Sequence, residues 1–255
     1  MVTKKPVTAA FLAALSQEVQ PFLRRVRATC LPGAEPPAWE FTRGPNKGVT
    51  VVSGMGEDAA ARSVAWVFER YQPQGLISLG FGGAVTPELT PGAVVLGETY
   101  WRYDPDTQTL EELPAPAWPH WSAALVERLR TAGLPVFRGS MITTRGIIHK
   151  AGHAALLHHL PHPVLDLETS AAALAAQVRT LPFLALRAIT DVAAEEIPDF
   201  LKEAARQGQT PSGAAALAWL AADPRRLAVL LRLWGRSRLA AKHLTQALDA
   251  VLEVW

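Results

Sequence analysis

The sequence lacks paired cysteines, long apolar runs and a strong excess of charge. Cys30 is the only cysteine among 255 residues, which excludes a disulfide framework and a thiolate metal cluster and is typical of the reducing cytoplasm. No apolar run approaches the roughly 18–20 residues that a membrane-spanning helix needs. The formal net charge is +2, so the composition gives no indication of a nucleic-acid-binding surface. We therefore expect a cytoplasmic protein that binds no nucleic acid.

Short apolar runs alternate with stretches of helical spacing along most of the chain. With 49% hydrophobic residues, the chain can bury a sizeable core. Alternating strands and helices are typical of a layered α/β domain. The predicted strands are Thr8–Leu15, Val49–Ser53, Leu76–Leu79, Ala93–Leu96, Gly139–Thr143, Val164–Leu167 and Phe183–Ile189. The predicted helices in this region are Ala59–Tyr71, Trp121–Ala132 and Thr169–Val178, and Ala34–Trp39 is predicted to be a loop.

The character of the sequence changes after Asp191. We expect one domain over residues 1–207 and a helical C-terminal extension, packed on or near it, over residues 208–255. The predicted helices here are Asp199–Gln207, Ala214–Ala222 and Arg225–Trp255. The last of these has an apolar face and a basic side, which is typical of a packing or oligomerisation helix. Attachment to an acidic membrane surface or to a lipid-like substrate is the alternative interpretation.

Two blocks place acidic residues directly after apolar runs. Asp166 lies near the end of predicted strand Val164–Leu167 and Glu168 follows it, while Asp191 follows predicted strand Phe183–Ile189. In open α/β sheets, ligands bind at the carboxyl ends of the strands. Two carboxylates in one such pocket favour acid/base chemistry or the binding of sugar hydroxyls.

Four blocks of the chain, in register, resemble the purine nucleoside phosphorylase and nucleosidase superfamily. The similarity covers roughly residues 8–205 and is strongest to the branch of methylthioadenosine/S-adenosylhomocysteine nucleosidases. The C-terminal segment is similar to that of hopanoid-associated phosphorylases. The four blocks are Ala13-Ala14-Leu15-Ser16-Gln17-Glu18-Val19, Val52-Ser53-Gly54-Met55-Gly56, the segment from Ile77 to Val95 with its Gly80-Phe81-Gly82-Gly83-Ala84 turn, and the pair Asp166-Leu167-Glu168 and Arg187-Ala188-Ile189-Thr190-Asp191. The resemblance implies a three-layer αβα fold with a mixed central sheet.

The resemblance also implies roles for three acidic residues. Asp191 takes the position of the acid that protonates the leaving purine at N7, which removes the negative charge that develops on the base. Glu168 takes the position of the carboxylate that binds the ribose 2′- and 3′-hydroxyls. Glu18 takes the position of the glutamate that orients the attacking water. The alternative is that these acids only cap helices or pair with Arg187.

Further residues are implied to line the substrate site. Leu167 replaces the family's methionine beneath the sugar. Phe81 replaces a small hydroxyl residue in the glycine-rich turn, and this departure leaves open whether the site is active. The other implied substrate-binding residues are Ile147, Ile148, Gly82 and Thr190.

The expected function is hydrolysis of the N-glycosidic bond of a purine nucleoside, of adenosine type and modified at the 5′ position. Phosphorolysis of the same class of nucleoside, including a hopanoid-type adenosyl lipid, is the close alternative. A catalytically inactive nucleoside-binding protein is the second alternative. No cofactor is expected, although phosphate would be a co-substrate of a phosphorylase. The resemblance implies a homodimer.

Two other patterns carry competing interpretations. Gly54-Met55-Gly56-Glu57-Asp58-Ala59 matches the dinucleotide fingerprint G-x-G-x-x-[GA], but no acidic residue follows the next predicted strand, as an NAD site requires. The histidines His149, His153, His158, His159 and His162 include pairs at the i, i+4 spacing of a metal site. Because no acidic residue completes a ligand set and two prolines interrupt the segment, we predict a surface helix and no metal.

Overall fold

The computed structural model describes residues 4–114, 120–195, 197–198, 201–203 and 226–255. Within them, the chain forms one mixed ten-stranded sheet with helices on both faces. The strands are β1 (Lys5–Ala13), β2 (Thr29–Cys30), β3 (Ala38–Arg43), β4 (Asn46–Val52), β5 (Tyr71–Ala84), β6 (Val94–Asp104), β7 (Thr109–Glu112), β8 (Val136–Thr144), β9 (Val164–Asp166) and β10 (Phe183–Asp191). The helices are α1 (Ser16–Arg25), α2 (Glu57–Arg70), α3 (Ser122–Thr131), α4 (Lys150–Leu157), α5 (Thr169–Val178) and α6 (Arg226–Val254).

Strand β5 is the centre of the sheet. The strand order is β10-β6-β8-β9-β5-β1-β4-β3-β2, with β7 paired to β6. Strand β10 also pairs with β5, so five strands (β5, β9, β8, β6 and β10) close into a ring. The registers pair Gly83 of β5 with Asp191 of β10 on one side and with Leu165 of β9 on the other. Because β9 pairs directly with β5, the carboxyl end of β9 lies beside the same residue of β5 as the end of β10.

Two apolar layers cover the faces of the sheet. Helices α1, α3 and α6 share one buried cluster with the sheet, in which Phe11 contacts Phe22 edge to face at 5.6 Å between ring centroids. Helices α2 and α5 cover the other face, where Val64 and Ala173 are buried. The helical spacing of Ala60, Val64 and Val67 places these side chains on the side of α2 that faces the sheet. The fold is therefore a three-layer αβα arrangement around a mixed sheet, as the resemblance implies.

The two halves of α6 differ in burial. Its C-terminal half contributes buried side chains to the core, among them Leu244, Leu248 and Val251. Its N-terminal half exposes Leu231 and Trp234, by 56% and 61%. Among the described residues, no helix is long and apolar enough to cross a membrane. The C-terminal half of α6 is therefore integral to the core, whereas its N-terminal half presents apolar side chains to solvent.

The observed elements extend several of the predicted ones and add others. Predicted helix Thr169–Val178 coincides with α5, and predicted strand Leu76–Leu79 is the middle of the much longer β5. Helix α1 and strands β2, β3 and β7 were not predicted, whereas α4 lies in the histidine-containing segment that was predicted to be a surface helix. Strand β3 begins inside predicted loop Ala34–Trp39, because Ala38 and the residues after it pair with β4. Most of predicted helix Asp199–Gln207 and all of predicted helix Ala214–Ala222 lie outside the described residues.

Candidate active site

A cavity of about 160 Å³ opens where β5, β9 and β10 end. The first turns of α1 and α4 reach the same point, since Glu18 and Lys150 both line the cavity. The structure brings all nine predicted site residues to this cavity. They are Glu18, Phe81, Gly82, Ile147, Ile148, Leu167, Glu168, Thr190 and Asp191.

Glu18 is held by two backbone amides. It lies in the first turn of α1, where the Leu15 amide donates a hydrogen bond to Oε2 at 2.8 Å. The Phe81 amide, on β5, donates to Oε1 at 2.9 Å. Burial raises the pKa of the Glu18 carboxyl, and these two hydrogen bonds oppose the rise. A carboxylate that is fixed in this way and has a raised pKa is suited to accept a proton from water near neutral pH.

Glu168 lies between the end of β9 and the start of α5. The Gly56 amide, in the turn after β4, donates a hydrogen bond to its Oε1 at 2.9 Å. Burial and then the neighbouring Asp166 carboxylate raise the pKa of Glu168 to about 8, while Arg187 opposes the rise. Glu168 occupies the position that precedes α5 but caps the helix with no side-chain hydrogen bond. Besides the hydrogen bond from the Gly56 amide, its carboxyl group can therefore bind hydroxyl groups in the cavity.

Asp191 at the end of β10 forms an ion pair with Lys150. Both side chains are almost fully buried, with exposed fractions of 6% and 5%. The Lys150 ammonium also donates hydrogen bonds to the backbone carbonyls of Asp191 at 3.2 Å and Val192 at 3.0 Å. The Thr190 hydroxyl donates to Asp191 Oδ1 at 3.0 Å. Lys150 was not among the predicted site residues, since it lies 41 residues from Asp191 in the sequence and the neighbouring histidines dominate the local pattern.

Asp166 organises the scaffold behind the cavity. It accepts hydrogen bonds from the Thr143 hydroxyl at 2.8 Å and from the amides of Glu168 and Thr169. It also pairs with Arg187, which is 1% exposed. The alternative interpretation, pairing with Arg187, thus describes Asp166 and neither Glu168 nor Asp191. This buried network fixes the backbone of Glu168 at the start of α5.

The glycines of β5 leave space for the acidic side chains. A Cβ atom at Gly80 would lie 2.9 Å from Glu18 Oε1. A Cβ atom at Gly83 would lie 2.7 Å from Asp191 Oδ2 and 3.2 Å from Lys150 Cε. At Gly82 it would lie 2.4 Å from Val164. Each glycine of the Gly80-Phe81-Gly82-Gly83 turn therefore allows a close approach that a larger residue would prevent.

The remaining walls of the cavity are apolar. Phe81 lies between Gly80 and Gly82. Its backbone amide donates a hydrogen bond to the Glu18 carboxylate, so Phe81 helps to hold Glu18 in place. The apolar lining side chains are Leu15, Met55, Phe81, Ile147, Ile148, Leu165, Leu167 and Ile197. An apolar wall with a few converging polar groups is typical of a small-molecule site.

The two competing patterns have other uses in the structure. The Gly56 amide, in the segment that matches a dinucleotide fingerprint, is engaged by Glu168. The histidines bond locally: His153 Nδ1 contacts the Tyr103 hydroxyl at 2.7 Å, and His162 Nδ1 contacts the Arg138 carbonyl at 2.9 Å. Among the described residues, no group of three or more histidine, cysteine or acidic side chains is arranged to hold a metal ion.

Comparisons with known proteins give a consistent picture. The profile of the phosphorylase superfamily matches residues 8–221. A 5′-methylthioadenosine/S-adenosylhomocysteine nucleosidase of Geobacillus kaustophilus is 28% identical over 221 residues, covering 78% of this chain and 92% of the relative. An S-adenosylhomocysteine nucleosidase of Streptococcus pyogenes, solved with a methylthiotubercidin ligand, superposes with a TM-score of 0.73 at 19% identity, covering 99% of this chain and 98% of the other. The nucleosidase of Neisseria meningitidis in complex with methylthio-immucillin-A gives a TM-score of 0.72 at 20% identity, covering 97% of this chain and 99% of the other.

Proposed function

Because the chain belongs to the phosphorylase superfamily, we propose that this cavity binds an adenosine-type nucleoside modified at the 5′ position and hydrolyses it there. The chain is an enzyme that cleaves the N-glycosidic bond of purine nucleosides and releases the free base. The observation that carries the site assignment is the convergence of Glu18, Glu168 and Asp191 on one buried cavity. The reaction requires one group to activate water, one to bind the sugar and one to protonate the base. We assign these roles to Glu18, Glu168 and Asp191, respectively.

Asp191 acts on the leaving base. Cleavage of the C1′–N9 bond leaves its electron pair on the purine, and protonation at N7 lets the base depart as a neutral molecule. Asp191 is supported in this role by its place at the end of β10, next to Thr190 and opposite the apolar wall of Ile147 and Ile148. The apolar wall excludes water from the proton transfer and contacts the faces of the purine ring.

Glu168 and Glu18 act on the sugar. The carboxyl group of Glu168 forms hydrogen bonds with the 2′- and 3′-hydroxyls, and in its ionised form it stabilises the positive charge that develops on the sugar ring. Glu18 orients a water molecule toward C1′ and accepts its proton when the new bond forms. Met55, Phe81 and Leu167 supply apolar surface for the sugar and for an apolar 5′ substituent.

The acceptor is water. Phosphate binding in proteins uses arginine side chains and free amides at helix N-termini. Among the described residues that line the cavity, Lys150 is the one cation, and its charge is paired with Asp191. The buried carboxylate of Glu18 would also repel a phosphate dianion. These features favour hydrolysis over phosphorolysis, and the proposed chemistry requires no cofactor.

We propose that the enzyme is a cytoplasmic homodimer. The single, exposed thiol of Cys30 favours the reducing cytoplasm. The resemblance to the superfamily favours a homodimer, which light scattering on the purified chain tests directly.

We also propose a peripheral contact between the N-terminal half of α6 and an anionic membrane. Leu227, Leu231 and Trp234 are exposed at i, i+4, i+7 spacing, and the guanidinium of Arg238 lies 4.7 Å from the centre of the Trp234 ring. An exposed apolar stripe beside cations is typical of helices that lie on lipid surfaces. Co-sedimentation with vesicles that contain phosphatidylserine, compared between wild type and Trp234→Ser, tests the contact. Equal sedimentation of the two proteins would refute it.

The test of the proposed function is base release from a panel of nucleosides, with and without phosphate. The panel is methylthioadenosine, S-adenosylhomocysteine, 5′-deoxyadenosine, adenosine and inosine. We expect release without phosphate, fastest from the 5′-modified adenosines. Strict dependence on phosphate would assign the chain to the phosphorylases. Absence of release from all five would refute the proposed substrate class and leave a lipid-like nucleoside or a binding role.

A further inference from the structure

The buried ion pair between Lys150 and Asp191 poses a chemical problem for the proposed reaction. In an ion pair the proton is on the lysine nitrogen, and an ionised Asp191 carboxylate has no proton to give to the purine. The proton that reaches N7 must therefore first be delivered to Asp191, either by a neighbouring group or by solvent. Lys150 is in direct contact with Asp191 Oδ2, which places its ammonium at the required position.

Lys150 lies in an environment that is energetically unfavourable for a cation. It lies in the first turn of α4, where the helix dipole disfavours a cation, and it is 5% exposed. Burying an ammonium and a carboxylate carries a desolvation penalty that apolar residues of similar volume would avoid. Its ammonium donates hydrogen bonds to the carbonyls of Asp191 and Val192 and forms a close ion pair with Asp191 Oδ2. The Lys150 charge is therefore held against Asp191.

Resting on the function proposed above, we propose that Lys150 is the proton source for Asp191, so that the acid of the reaction is the Lys150–Asp191 pair. The ammonium first gives a proton to the ionised Asp191 carboxylate. Protonated Asp191 then gives that proton to purine N7 as the electron pair of the C1′–N9 bond moves onto the base. The base leaves as the neutral N7–H tautomer, and water adds to C1′ and loses a proton to Glu18. The site ends with a neutral Lys150 amine and a protonated Glu18, and its total charge is unchanged. Solvent then restores both groups.

Two substitutions separate a proton source from a charge that only positions Asp191. Lys150→Met removes both the charge and the proton. Lys150→Arg keeps the charge and the donors, but a guanidinium does not lose its proton in proteins. A proton source is therefore lost in both variants, whereas a positioning charge is lost only in the first.

The experiment measures turnover of methylthioadenosine and binding of 5′-methylthiotubercidin for wild type and both variants. The base of 5′-methylthiotubercidin has carbon in place of N7, so its binding does not depend on the acid and reports whether the site is intact. We expect kcat to fall at least about 100-fold in both variants, as expected for loss of a general acid, with KM and the analogue Kd within about threefold of wild type.

Each other outcome refutes the inference in a distinct way. Wild-type kcat in Lys150→Met would show that Asp191 takes its proton from solvent. Recovery of kcat in Lys150→Arg would show that Lys150 only positions Asp191. If turnover and analogue binding are both lost, Lys150 is needed for the structure of the site and not as a proton source. A wild-type protein that binds the analogue but releases no base would refute the proposed function, and the inference with it.

Discussion

Gly80 lies directly beneath the carboxylate of Glu18, and a Cβ atom at this glycine would be 2.9 Å from Oε1. The relationship joins the centre of β5 to the first turn of α1, which are far apart in sequence. It explains why this strand has glycine at a buried position, where glycine is otherwise unfavourable. The position of the proposed water-orienting group therefore depends on the absence of one methyl group.

Gly80→Ala should impair catalysis through Glu18. The added methyl group must displace the carboxylate, which the Leu15 and Phe81 amides hold in place. We expect kcat for methylthioadenosine to fall about 100-fold, close to the effect of Glu18→Gln. Gly152→Ala is the matched control, since Gly152 lies on the exposed helix α4 with nothing within 4 Å of an added Cβ. Equal kcat in the two alanine variants would contradict this role of Gly80.

Asp191→Asn should abolish base release while the protein stays folded. Asparagine keeps the shape of the side chain but cannot pass an acidic proton to the purine. We expect kcat to fall at least about 100-fold, measured by adenine release, with circular dichroism unchanged. Asp58→Asn, on the exposed side of α2, is the control and should retain full turnover. Substantial turnover in Asp191→Asn would remove this residue from the reaction.

Glu168 should make the stability of the protein depend on pH. Its pKa is about 8 in the folded state, against an ordinary value of 4.5. Between these values the unfolded chain ionises while folded Glu168 keeps its proton, so the free energy of unfolding should decrease as pH rises from about 4.5 to about 8. Denaturation by urea at several pH values measures the decrease. The free energy of unfolding of Glu168→Gln should decrease over this pH range by a few kcal/mol less than that of the wild type. Parallel curves for the two proteins would contradict the raised pKa.

The two halves of α6 should differ in their contribution to stability. Leu248 is fully buried in the cluster beneath α1 and α3, so Leu248→Ala should lower the free energy of unfolding by about 2–5 kcal/mol. Trp234 is 61% exposed, and Trp234→Ser should change the free energy of unfolding by less than about 0.5 kcal/mol. Urea denaturation of both variants measures the difference. Equal effects would show that the N-terminal half also packs on the domain.

The residues of the candidate site were predictable because they belong to local motifs. Each motif places an acidic or glycine residue at the end of an apolar strand, and the strands meet at one edge of the sheet. An open parallel sheet does not describe the site fully, since β9 runs antiparallel to β5 and β10. Direct pairing of β9 with β5 brings Glu168 to the site, and no local pattern in the sequence encodes that antiparallel pairing.

Other features depend on contacts between distant segments. The ion pair of Lys150 with Asp191 spans 41 residues, and five histidines surround Lys150 in the sequence. Helix α1 was missed because Pro21 interrupts its pattern and the helix has only a narrow apolar face. Strand β3 was not predicted because Pro36 and Pro37 directly precede it and polar residues interrupt its apolar pattern, and it is stabilised by pairing with β4. Tertiary pairing decides these elements, and propensity alone does not.

The most direct test of the hydrolytic mechanism is the fate of oxygen during turnover of methylthioadenosine in H₂¹⁸O, in buffer freed of phosphate and then with phosphate added. The account predicts adenine and a methylthioribose that carries one ¹⁸O atom, at a rate that phosphate does not change. A sugar phosphate that forms only when phosphate is present, with no ¹⁸O at C1′, would contradict the account and identify phosphate as the acceptor.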